Sequence, residues 1–208
     1  MCFHYSIKKA KKQIEKRFNA EFEEFTLFEP TDHANAFAHP FMPIITNDKP
    51  DSIQLFKWGL IPNWVKDKER AKEISKMTLN ARVETVEEKP SFKDAIKSQR
   101  CLVIADGFYE WKTVGKKKTK YFIKHAEKPL FAFAGIWNSW ADKQTGEIIS
   151  TYSILTQEAN PFMAEIHNIK KRQPIILQSE KEWINFSEVK KNESSCFNNK
   201  FFAKEIII

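Results

Sequence analysis

Apolar positions alternate at Ile53 and Leu55 in SIQLFKWGLIPNW (52–64), which predicts a strand that turns at Gly59 and Pro62. The stretch CLVIADGFYEWK (101–112) is apolar enough to read as one buried strand. YFIKHA (121–126), PLFAFAGIWNSW (129–140) and STYSILTQ (150–157) are rich in β-branched and aromatic residues and read as further strands. VGKKKTK (114–120) predicts a hairpin turn on Gly115, and NARVETV (80–86) is treated as a short strand. Helical patterning is confined to a basic segment, 6–19, with Ile7, Ile14 and Phe18 on one side, and to 66–76, Ser91–Gln99 and Ser179–Lys191. Ser91 is placed to cap the third of these. Pro30, Pro40, Pro43 and Pro50 punctuate 20–50, which reads as irregular. Residues 190–208 receive no element. Several strands with short turns and helices at the periphery predict an antiparallel-rich α+β fold in a single domain, 1–208.

Composition sharpens this picture in two ways. With 42% hydrophobic residues among 208, the chain has enough apolar mass for one core of ordinary size. The net charge of +7 favours a polyanionic partner, either nucleic acid or an anionic membrane surface. The three cysteines, Cys2, Cys101 and Cys196, form no C-x-x-C pair. That excludes a disulfide framework and a cysteine-rich zinc site, and it fits a reducing compartment. No metal or other cofactor is expected. The first twenty residues carry Lys8, Lys9, Lys11, Lys12, Lys16 and Arg17 and no apolar signal-peptide run, and no segment is apolar enough to span a bilayer. A cytoplasmic protein is therefore expected.

The candidate chemistry begins at Cys2. Loss of Met1 would leave an α-amine and a thiol on adjacent carbons, and such an aminothiol closes on an aldehyde to give a thiazolidine. The amine has a reference pKa near ~7.7–8.0, and neighbouring positive charge would lower the thiol. His4 is close enough in sequence to orient this terminus. Glu110 lies among Phe108, Tyr109 and Trp111, where lost hydration would raise its pKa toward general-acid use. In a strand, Asp106, Phe108 and Glu110 share one face, with Tyr109 and Trp111 on the other. His167 precedes Lys170, Lys171 and Arg172, whose charges would keep its ring neutral and able to accept a proton. Asn80 and Arg82 lie two apart, an amide beside a planar cation suited to phosphate; a surface Arg82–Glu84 pair is the structural alternative. Trp58 and Trp64 read as a stacking loop for unpaired bases, and Lys116, Lys117, Lys118 and Lys120 could touch phosphates. Trp111 and Trp137, inside apolar strands, are assigned to the core.

Cys2 directly after Met1, NARVET, EKPSFKDA, RCLVIADGFYEWK, ILTQEAN and IHNIKKRQPIIL together resemble the SOS response-associated peptidase family. The likeness runs from residue 2 to about residue 177. It implies a β-barrel-like core with a basic cleft, and proteins that bind single-stranded DNA and junctions bearing abasic sites and link to them covalently; a monomer is expected. It also implies that such a protein removes its own initiator Met and associates with the nucleoid when bound. By motif match, Cys2 takes the nucleophile's place, Asn80 that of the residue positioning it, and Glu110 and His167 those of the catalytic acid and histidine. Arg82, Trp58, Trp64, Lys170, Lys171 and Arg172 become the DNA contacts. The chain departs from the family where Phe3 and His4 follow Cys2, and where residues are inserted between His167 and Pro174. Two other readings stand beside this one: a cysteine peptidase acting in trans through Cys2 and His167, and a non-covalent single-strand-binding module.

Overall fold

A computed structural model describes residues 2–24, 27–185 and 201–206. Five strands close on themselves to make the core: β4 (Phe41–Thr46), β5 (Ser52–Trp58), β7 (Arg100–Ala105), β10 (Phe131–Ala141) and β11 (Ile148–Glu158). Neighbours run antiparallel around the ring β5–β4–β7–β10–β11, and a parallel β11–β5 pairing at Tyr152 and Trp58 closes it. Closure explains why β7 and β10 read as nearly continuous apolar runs, since both of their faces are covered. The short strands β2 (Glu21–Phe22), β6 (Asn80–Arg82) and β12 (Arg172–Pro174) add to this sheet, β6 and β12 both pairing with β11.

A second, five-stranded open sheet carries the order β13 (Phe201–Ile206), β9 (Lys117–His125), β8 (Gly107–Val114), β1 (His4–Ile7), β3 (Thr31–Asn35). The β8–β9 hairpin turns at Gly115, where φ is 58, in the left-handed region that glycine adopts without strain. Gly59 ends β5 at φ 118, and a Cβ there would fall 2.6 Å from the Ser75 carbonyl oxygen. The turn predicted at Gly59 is thus enforced twice. Among the described residues, five α-helices lie at the periphery: α1 (Lys11–Phe18), α2 (Lys68–Met77), α3 (Ala95–Ser98), α4 (Pro161–Ile166) and α5 (Glu180–Ile184). The result is the α+β barrel expected of the sequence.

Four expectations are corrected. Residues 20–50 are not irregular, because β2, β3 and β4 lie there; Pro43 sits inside β4, opposite Leu55. The stretch 101–112 is two strands rather than one. Asp106 interrupts them, its carboxylate accepting from the Ser6 hydroxyl at 2.5 Å and the Lys8 backbone N–H at 2.6 Å, and the chain passes there from barrel to open sheet. Ser91 caps nothing, since α3 begins only at Ala95, after Asp94. The unassigned tail contains β13, which extends the open sheet along β9. Part of the helix expected over Ser179–Lys191, the stretch beyond 185, lies outside the described residues, as does Cys196.

Candidate active site

Glu110 sits on β8 with its side facing inward. The pairing of β8 with β9 puts Phe108 against the core and turns Tyr109 and Trp111 outward, as the alternation predicts. Asp106 does not share that strand face, because it lies between strands. Only 4% of Glu110 is exposed, and burial raises its pKa from 4.5 to about 8. At neutral pH it is a protonated carboxylic acid.

His167 ends α4 and approaches Glu110, its Nε2 lying 3.9 Å from Oε2. Its Nδ1 is 2.8 Å from the Arg172 carbonyl oxygen, which can only accept, so Nδ1 carries the proton. Burial is the main reason its pKa is lowered, with the amino terminus and Lys170 adding to it. The nearby cations expected to keep the ring neutral do contribute, through Lys170, but burial is the larger cause. Glu110 and His167 form a neutral acid facing a neutral acceptor, not an ion pair.

Cys2 is fully buried. Asn80, at the head of β6, donates from Nδ2 to the Cys2 carbonyl oxygen at 3.0 Å. The Cys2 thiol points to the His4 carbonyl oxygen at 3.8 Å, so His4 touches this terminus through its backbone rather than its ring. Burial pushes the thiol's pKa up, and the Glu110 carboxylate adds to the rise. These outweigh the amino-terminal positive charge, which overturns the expectation of a lowered thiol. A cleft of about 490 Å³ opens at Glu110 and His167, lined also by Phe3, His4, Trp111 and Lys170, while Cys2 stays buried beside it in the chain.

Trp111 is thus not a core residue. It is half-buried, meets the edge of His4 at 4.8 Å between ring centroids, and lines the cleft. Trp58 errs the other way. It is 0% exposed, stacks on Tyr152 and donates to the Leu79 carbonyl oxygen at 2.8 Å, so it cannot meet a base without unfolding the barrel. Trp64 is 47% exposed, with its N–H directed to the Pro90 carbonyl oxygen. Arg82, Lys170 and Lys171 are exposed. Arg172 is not displayed for phosphate: its side chain is 11% exposed, and its fork grips Glu84 at 2.7 and 2.9 Å and the Thr156 carbonyl oxygen at 2.8 Å. The Glu84 partner is accordingly Arg172 rather than Arg82. Arg172 serves the site through its backbone carbonyl, which fixes the His167 tautomer.

Sequence reasoning missed Asn168. Its amide accepts from the Thr113 N–H at 3.0 Å and donates to the Thr113 carbonyl at 2.7 Å, imitating a strand neighbour along β8. A Lys112–Glu165 contact at 2.8 Å lies alongside. These two links strap the His167 segment to the strand that carries Glu110. No periodicity marks such a clamp, and its position beside His167 was the only available signal. Among the described residues, no group of three or more His, Cys, Asp or Glu is placed to hold a metal ion.

Residues 1–206 match the family model described as SOS response associated peptidase (SRAP). The chain belongs to that family. The protein YoaM of Bacillus subtilis, named an abasic site processing protein, is 42% identical over 147 residues, covering 69% of this chain and 61% of its own length. The chicken protein HMCES, with the same description, is 36% identical over 160 residues, covering 66% of this chain and 46% of its own. The chain thus spans about three fifths or less of these curated relatives. A crystal structure of a Bacteroides thetaiotaomicron protein superposes with a TM-score of 0.91 at 39% identity, covering 99% of this chain and 92% of that one. The SRAP fold here is therefore shared nearly end to end with that solved structure.

Proposed function

We propose that this SRAP protein captures abasic sites in single-stranded DNA as a covalent crosslink through Cys2, after removing its own Met1. The reading rests on one observation: Glu110 and His167 face each other in a cleft that Phe3 and His4 also line, and Asn80 holds the carbonyl of the adjoining Cys2. The relatives' descriptions as abasic site processing proteins support it.

The states of the groups suit the chemistry. An abasic sugar is mainly a cyclic hemiacetal, so its ring must open before an aldehyde exists. Glu110, protonated at neutral pH, gives its proton to the ring oxygen as the bond to C1′ breaks. His167 Nε2, which lacks a proton, accepts from the anomeric hydroxyl. The Cys2 amine then adds to C1′ and water leaves, giving an imine. The Cys2 sulfur adds to the same carbon while its proton passes to nitrogen, closing the thiazolidine. The sum is aldehyde plus aminothiol to thiazolidine plus water, with no oxidant needed. Because burial keeps the thiol protonated, the amine attacks first and the sulfur second. Holding the reactants together in one cleft lowers the barrier by up to roughly 7–11 kcal/mol.

Incubation with an abasic single-stranded oligonucleotide is expected to give a band shifted on a denaturing gel, with intact mass showing loss of Met1. Cys2→Ala is expected to give none. An adduct of equal stability from Cys2→Ala would move the chemistry to a lysine and overturn the proposal.

A further inference from the structure

The outer face of the open sheet carries a row of lysines laid over aromatic rings. In antiparallel pairing, directly opposed residues share a face. Trp111 therefore lies beside Lys120, Tyr109 beside Phe122, and Lys124 beside Phe202. The Lys120 ammonium sits 4.2 Å from the Tyr109 ring centroid and 5.8 Å from that of Trp111. Lys8 and Lys124 sit over the Phe122 ring, at 5.0 and 5.1 Å. Rings beneath the stems hold these charges in place, so little side-chain entropy remains to be lost on binding a ligand. Lys8 meets Asp32 at 2.6 Å, whereas among the described residues no carboxylate pairs with Lys9, Lys118, Lys120 or Lys124.

This row has two ends. One is the cleft, which Lys118 and Trp111 line. The other is a second cavity of about 420 Å³, lined by Lys8, Lys9, Gln13, Asp106, Lys124 and His125 among others. The one carboxylate lining that cavity, Asp106, accepts from the Ser6 hydroxyl and the Lys8 N–H, and against Lys8, Lys9 and Lys124 it leaves the cavity net positive. Lys118 and Lys124 are six residues apart on β9, roughly 20 Å at about 3.3 Å per residue.

We infer that this face is a track for the sugar–phosphate backbone of a single strand, leading from the cleft to an anion-binding pocket at Lys9 and Lys124. The inference rests on the proposed function for its choice of polyanion. It adds a second contact region, remote from Cys2, that makes binding depend on the length of strand flanking the captured site.

The test uses intact, undamaged single-stranded oligonucleotides, so that it reads binding without adduct chemistry. A short strand fills the cleft alone, and a longer one reaches about 20 Å beyond it. Fluorescence anisotropy across a salt series is recorded for the wild type and for the double variant Lys9→Gln, Lys124→Gln. The wild type is expected to bind the longer strand more tightly. The variant is expected to lose that advantage, its logarithmic salt slope on the longer strand falling by about 1.4, or about 0.7 per phosphate contact. Binding of the short strand and the thermal midpoint should not change. An unchanged slope and length advantage would overturn the track, as would equal losses on both strands. A wild type that binds by length yet forms no adduct with abasic DNA would instead count against the proposed chemistry and leave the track standing.

Discussion

The closed barrel and the open sheet bury polar groups to opposite ends. In the barrel and in α5 packed on it, buried tryptophans hand their N–H to backbone carbonyls: Trp58 to Leu79, Trp140 to Val65, and Trp183 of α5 to Cys101, all within 2.9 Å. The Tyr152 hydroxyl of β11 meets that of Tyr5, which reaches in from β1, at 3.0 Å. These groups are matched at neutral charge and contribute rigidity. At the junction with the open sheet, Glu110, His167 and Cys2 are buried among groups that shift each away from its ordinary titration. There, burial holds protons on a carboxyl and a thiol that would otherwise be released more readily. One region gains stability from its buried polar groups, and the other gives up stability to hold reactive protonation states.

The largest effect that would break this contrast is in the barrel. Trp58→Ala should lower the unfolding free energy by about 3–5 kcal/mol in a denaturant titration, whereas Trp64→Ala should change it by no more than about 0.5 kcal/mol. Similar losses at both positions would mean that Trp58 is not the barrel element described here.

Glu110→Gln tests the other side. Adduct formation should slow by roughly 100-fold, the lower range for loss of a general acid, without a matching loss of stability. The pH dependence fixes the sign. Because the folded pKa is raised from 4.5 to about 8, the folded protein keeps a proton that the unfolded chain releases, so wild-type stability falls as pH rises through that window. The Gln variant should lack this fall when midpoints at both ends are compared. A wild type whose stability rises across the same window would refute the assignment of Glu110 as a buried neutral acid.

A smaller effect separates cations that hold the fold from cations that face solvent. Arg172→Ala should cost about 1–3 kcal/mol in stability and leave the salt slope of DNA binding unchanged, since its fork already holds Glu84 and Thr156. Lys170→Gln and Lys171→Gln should each lower that slope by about 0.7 while leaving stability within about 0.5 kcal/mol. A reversed pattern would return Arg172 to the nucleic-acid surface.

Much of the candidate site could be picked out from sequence because its residues sit in short motifs that resemble the family's. Cys2 after the initiator, Asn80 in NARVE, Glu110 in ADGFYEW and His167 before the lysines were decisive only in their order along the chain, which resembles the family's. What failed were judgements of surroundings. Trp58 and Trp64 sit six residues apart in one motif, yet one is core and the other surface. The difference comes from β11, which covers Trp58 from almost a hundred residues away. Arg172 looked like a phosphate contact until β12 brought Glu84 within reach. The Asn168 clamp was invisible because an amide that imitates a backbone neighbour leaves no repeating pattern.

By itself, the sequence determined the barrel strands β5, β10 and β11, the glycine turns and the residue types available for chemistry, because periodicity and backbone sterics act over a few residues at a time. Tertiary structure alone decided which charges are buried, which protons are held and which lysines form a continuous face. Desolvation and pairing depend on what the rest of the chain brings alongside, and that is set only when the barrel closes.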